Sequence, residues 1–226
     1  MNIKVRMGKI SEFTYANLIL AKNKELVKKY LEPNSYLIKL DDNWICFVNV
    51  DDLKIDGAVS ERYLALSEQT PVLVFYNAED HGCGYKILHN KEIISFFDLD
   101  YEFGYNTGLN MSQEMFGEDE GMEMWYGIRD FPRQEDRDKI RKLVEEKEIE
   151  YYKNIALYSN LSNFKLFEFS DTVIISLNEL FTQENFINRT WSVKKFMEII
   201  GIEKCCWLSW NYVKGHEENY SIIAET

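Results

Sequence analysis

PVLVFY, residues 71–76, constrains the fold more than any other stretch. After its leading proline it carries no charge and no turn former. It is too short to stand as a helix, and its Val, Phe and Tyr side chains suit a pleated surface, so it predicts a buried strand. Such a strand needs partners, and the flanking sequence offers them. SYLIKL (35–40) and NWICFVNV (43–50) predict a hairpin across Asp41-Asp42. GYKIL (84–88) and EIISFFDLDYEF (92–103) predict another across His89-Asn90.

Helical spacing accounts for much of the remainder. Ser11 is placed to cap a helix carrying Ala16, Ile19, Leu20, Val27, Tyr30 and Leu31, which Pro33 stops. A shorter helix is expected from Ser60 to Glu68. A strong one begins near Arg133, with Ile140, Val144, Tyr151 and Ile155 as its buried stripe. Val193, Phe196, Met197 and Ile200 share a face of another, and Gly201 stands where a left-handed cap is wanted. In the second half, NFKLFEFSDTVIISLNEL (163–180) reads as a hairpin turning at Ser170-Asp171. WLSWNYV (207–213) and NYSII (219–223) read as further strands.

The expected class is α+β, mainly antiparallel sheet with helices on one face. Two halves, each helix, hairpin, helix, strand, strand, are expected, and their matching order suggests a degenerate internal duplication. Residues 1–104 would form the first half and 134–226 the second, or the whole 1–226 one compact domain. Between them, residues 105–133 are punctuated by glycines and predict an acidic, methionine-bearing loop or lid.

Charge narrows the function classes. Residues 98–136 hold eleven Asp or Glu against two arginines, a balance of −9 within a chain whose net charge is −12. That speaks against a phosphate-neutralising nucleic-acid surface and favours a basic partner. No stretch approaches the ~20 apolar residues of a spanning helix, so no membrane role is expected. The start, MNIKVRMGKISEF, lacks the apolar run of a signal peptide. Cys46, Cys83, Cys205 and Cys206 follow no metal or disulfide spacing, which reads as reduced thiols of a cytoplasmic protein. The Ile, Lys and Asn usage fits an AT-rich bacterial genome.

NAEDHGCGYKIL (77–88) gathers Glu79, Asp80, His81 and Cys83 between glycines and invites a metal-site reading. Consecutive side chains diverge, however, and no second histidine stands at a metal spacing. The segment therefore reads as a turn, with Asn77 and Asp80 bonding their own backbone and both glycines free to adopt positive φ. Asp98, Asp100 and Glu102 alternate with apolar residues and are expected on one face of a strand, where they would meet solvent, hold a divalent cation or act as acid and base.

Two functional expectations follow. The first is a cytoplasmic, non-enzymatic interaction module that meets a basic partner through an acidic face, in the physical manner of immunity proteins and antitoxins. Its candidate residues are Glu118, Asp119, Glu120, Met122, Glu123 and Trp125. The alternative is a small-molecule enzyme, metal-dependent in one version, with Asp80, His81, Asp98, Asp100 and Glu102 between the halves. No cofactor is called for by any motif, and open strand edges make a homodimer a third option.

Overall fold

A computed structural model describes residues 13–50, 59–127 and 134–225. Its centre is a sheet of seven strands: β1 (Phe13–Leu20), β2 (Tyr36–Lys39), β3 (Trp44–Val48), β4 (Val72–Ala78), β5 (Gly82–His89), β6 (Glu92–Asp100) and β7 (Ile222–Glu225). All pairings are antiparallel, in the order β6-β5-β4-β1-β3-β2-β7. Both expected hairpins form, and PVLVFY supplies β4.

The middle position belongs to β1, where a helix was expected. The Ser11 cap lies outside the described residues, and only a short helix, α1 (Lys24–Val27), follows the strand. Ala16, Leu18 and Leu20 face one side of the sheet and Ile19 the other, and all four are buried. A strand covered on both faces needs no polar alternation, so its apolar residues fall at helical spacing as easily as at period two. Its polar members find distant partners. Thr14 Oγ1 donates to the Cys205 carbonyl at 2.8 Å, and Asn17 Nδ2 to that of Phe47 at 3.1 Å.

One face of the sheet receives most of the C-terminal chain: a 3-10 segment at Leu161–Phe167, then helices α6 (Asp171–Leu180), α7 (Gln183–Ile187), α8 (Val193–Ile200) and α9 (Trp210–Val213). Tyr85 stacks on Phe196 at 5.5 Å, and Phe97 meets Phe181 edge-on at 4.9 Å, so aromatic rings weld these helices to β5 and β6. The other face is also covered, correcting the expectation of helices on one side. There Ile19, Phe47, Val72 and Val74 pack against Val27 of α1 and against Tyr63 and Leu66 of α2 (Glu61–Ser67). Ser60 caps α2 through the Arg62 N–H.

The second half does not repeat the first. FKLFEF and TVIISLNEL form the 3-10 segment and α6, with Ser170 as N-cap of α6. Ile174, Leu177 and Leu180 are buried at helical spacing. WLSWNYV contributes α9 instead of a strand. Two similar halves are thus absent among the described residues, since 36–48 is a hairpin and its proposed counterpart 164–180 is helical. Gly201 does close α8 at φ 70°, with Ile202 N–H donating to the Met197 carbonyl.

The expected loop after β6 is also helical. α3 (Phe103–Phe116) and α4 (Glu118–Tyr126) pack beside the long α5 (Gln134–Asn154). Residues 128–133 lie outside the described chain. The glycines explain both the misreading and the packing. Gly104 and Gly108 lie one helical turn apart on α3: a Cβ on Gly104 would sit 2.2 Å from Glu148 Oε1, and one on Gly108 2.0 Å from the Trp125 ring. Gly121 likewise lets α4 approach the α3 backbone, while Gly117 and Gly127 are true turn glycines with positive φ. Met124, Ile140 and Val144 form the small core of this layer.

Candidate functional site

The β4–β5 connection is a turn of residues 79–81, with His81 N–H donating to the Ala78 carbonyl at 2.9 Å. Gly82 and Gly84 are not left-handed, contrary to expectation. They are needed for close approach: a Cβ on either would lie 2.4 Å from a β6 carbonyl oxygen. Tyr76 and Asp98 both stand opposite Gly84, on β4 and β6 respectively. The Tyr76 ring lies over the bare Gly84 backbone, and its hydroxyl donates to Asp98 Oδ1.

The three acids do not share a strand face. Asp98 and Asp100 lie on β6, but Glu102 falls in the turn beyond it, where its N–H donates to Asp100 Oδ1 at 2.7 Å. Its carboxylate instead meets His81 Nδ1 at 2.7 Å, a largely exposed pair. The hydrogen bond to Glu102 raises the His81 pKa above its ordinary 6.5. Of the five residues of the enzyme reading, His81, Glu102 and Asp100 thus meet at one end of β5 and β6. Asp98 engages Tyr76, and Asp80 stays exposed in the turn. Among the described residues, no three His, Cys, Asp or Glu side chains are grouped so as to hold a metal ion.

Cys83 is buried beneath this end of the sheet and accepts a hydrogen bond from the Tyr101 hydroxyl at 3.2 Å. Burial pushes its thiol up to about 12, which leaves it protonated and unreactive at neutral pH.

The outer edge of β6 is closed by residues 151–163. Phe96 N–H donates to the Tyr158 carbonyl at 3.0 Å, and Ser159 Oγ donates to the Phe96 carbonyl at 3.1 Å. Asn163 Nδ2 donates to the Ile94 carbonyl at 2.9 Å. Tyr151 Oη accepts from the Asp100 N–H at 2.8 Å and donates to the Asp98 carbonyl at 3.2 Å. An edge strand so occupied offers little to another sheet.

Where α5 meets this edge a groove of about 480 Å³ opens. Two stacked aromatic pairs line it: Phe103 on Tyr151 (4.1 Å between centroids, 8° between planes) and Phe96 on Tyr158 (4.8 Å, 10°). Asp98, Lys147 and Glu150 supply its charges. Sequence reasoning placed Tyr151 and Ile155 in a buried stripe but missed Phe96, Phe103 and Tyr158. The available signal was the spacing Lys147, Glu150, Tyr151, Asn154, Ile155, Tyr158, which keeps one side of the helix and its C-terminal turn toward β6. A second cleft of about 350 Å³ lies far along the chain from these residues, between Trp44, Phe169 and Glu198.

The residues expected to meet a partner are divided. Glu118, Asp119 and Glu120 occupy the exposed first turn of α4, where negative charge also suits the helix N-terminus. Met122 is exposed and Glu123 half-buried. Trp125 is turned partly inward, over Gly108 and toward the small core of Met124 and Ile140. The exposed aromatic surface here comes from Tyr105 and Tyr126, whose hydroxyls are hydrogen-bonded to each other.

No protein-family model, curated protein or solved structure matches this chain.

Proposed function

We propose that the chain is a non-enzymatic binding module that receives a basic protein on the surface of α3 and α4. The observation that carries this reading is the mixture on that surface. Exposed Glu114, Glu118, Asp119 and Glu120 stand among exposed Met115, Met122, Tyr105 and Tyr126. Adaptable thioethers and amphipathic rings supply contact area, and the acids steer a cation toward it. The reading carries with it a cytoplasmic setting and the mode of action of an immunity protein or antitoxin, which masks a basic partner by charge and contact.

The test begins with pull-down at low and high salt and identification of the bound protein. Its association rate should then fall about tenfold or more between roughly 20 and 200 mM salt. Glu118→Gln, Asp119→Asn and Glu120→Gln together should remove most of that dependence. An association rate indifferent to both salt and these changes would contradict the proposal.

A second reading is favoured by the His81–Glu102 pair beside Asp100, a proton-exchanging arrangement at the end of β5 and β6. A small-molecule reaction there should disappear when Asp98 and Asp100 become Asn, changes that leave α4 and its acids untouched.

A further inference from the structure

We infer that the groove between β6 and α5 is a receptor for a single arginine side chain of the basic partner. This deepens the proposed function and rests on the partner being basic, but it concerns different residues from the α3–α4 surface.

Two stacked aromatic pairs offer outward π faces and edges at the edge of the sheet, with Tyr158 64% and Phe96 37% exposed. Large rings left open to water beside a strand are a loss unless something covers them. A covering group would also displace water from the exposed carboxylate beside them and must replace its hydrogen bonds. Tyr76 occupies Asp98 Oδ1, and Oδ2 accepts no hydrogen bond from the described residues. That carboxylate cannot retreat. It is held by Tyr76 across Gly84, and its own backbone carbonyl is fixed by Tyr151. Glu150 adds a second negative charge and Lys147 one positive charge, so the lining is negative by one.

An anion is therefore disfavoured, and a neutral apolar group would shield the exposed Asp98 carboxylate from water and leave its Oδ2 without a donor. A cation with a flat face meets both demands. A guanidinium stacks on aromatic rings while its N–H fork reaches a carboxylate, whereas an ammonium is a compact, strongly hydrated point charge that gains less from stacking. Phe103, which lines the groove, opens the same helix α3 that carries Tyr105 and Glu114. The groove therefore adjoins the N-terminal end of α3.

The experiment uses the full chain, ¹⁵N-labelled, titrated with N-acetyl-arginine amide and, separately, with N-acetyl-citrulline amide, which keeps the shape and removes the charge. The arginine probe should shift the amide signals of residues 96–98 and 151–158 at millimolar concentration. The citrulline probe should bind roughly tenfold more weakly. Tyr158→Ala and Asp98→Asn should each weaken arginine binding several-fold, and thermal melts report whether either variant has lost its fold. Tyr158 is 64% exposed, so its removal spares the core and keeps the test decisive if Asp98→Asn fails to fold. Equal affinity for the two probes, shifts confined to α4, or a folded Tyr158→Ala that binds like the wild type would each overturn the inference. Neutralising Glu118, Asp119 and Glu120 should leave probe binding unchanged. Failure of the acidic-face reading therefore appears in partner association alone, and failure of the groove in guanidinium discrimination alone.

Discussion

Tyr76 and Asp98 belong to strands that are not neighbours, yet the tyrosine hydroxyl donates to the aspartate carboxylate over the intervening β5. The contact exists because Gly84, between them, has no side chain. An aromatic ring laid over a strand glycine covers backbone that would otherwise be bare. Here it also aims a carboxylate at the groove.

Gly84→Ala should destabilise the protein by about 1–3 kcal/mol, because the new methyl meets the Phe97 carbonyl oxygen at 2.4 Å and the Tyr76 ring at 2.6 Å. Tyr76→Phe keeps the ring and loses the hydroxyl, and should cost about 0.5–1.5 kcal/mol. Urea unfolding of both variants checks the order.

Gly108→Ala tests the helical reading of residues 103–126. In an open helix this change stabilises by about 1 kcal/mol. Against the Trp125 ring at 2.0 Å it should instead destabilise by about 1–3 kcal/mol. Hydrogen exchange should quicken locally in α3 and α4, and a smaller residue at Trp125 should restore part of the loss.

His81 gives a pH signature whose direction is set by its hydrogen bond to Glu102. Its folded pKa is raised, so its contribution to stability is complete below the ordinary 6.5 and is lost as pH rises through the folded value. His81→Asn should therefore be less stable than the wild type in acid, with the difference fading above that range. The pair is exposed and its effect small. An imidazole titration followed by NMR is the direct measurement, and Glu102→Gln should bring the midpoint down.

Thiol labelling should separate the cysteines. Cys46, Cys83 and Cys205 are buried and Cys206 is exposed. Burial raises the thiols of Cys83 and Cys205. Iodoacetamide on the native protein should modify Cys206 first, and the other three should follow at the rate of opening or unfolding. Early labelling of Cys83 would contradict the closed packing beneath Tyr101.

Ser170→Ala should cost about 0.5–2 kcal/mol, the loss of an N-cap that accepts from the Val173 N–H. In a hairpin turn the same change would matter little, so equilibrium unfolding of this variant distinguishes the two arrangements of residues 163–180.

The sequence by itself determined the elements whose signals are local. The hairpin of β2 and β3, the strand β4, the hairpin of β5 and β6, helices α2, α5 and α8, and the Gly201 cap of α8 can all be read from periodicity and end residues. It also determined the acidity of α4. The tertiary structure decided the rest. β1 is apolar on both sides because helices cover both faces of the sheet, so its pattern carries no period. Residues 103–126 look like a glycine-rich loop because a glycine that admits Trp125 is indistinguishable, one residue at a time, from one that turns the chain. The groove joins residues 96–103 to 147–158 through contacts that exist once α5 has closed the edge of β6. Local preference sets backbone shape over a few residues, but a site between distant segments depends on burial, and burial is a property of the assembled core.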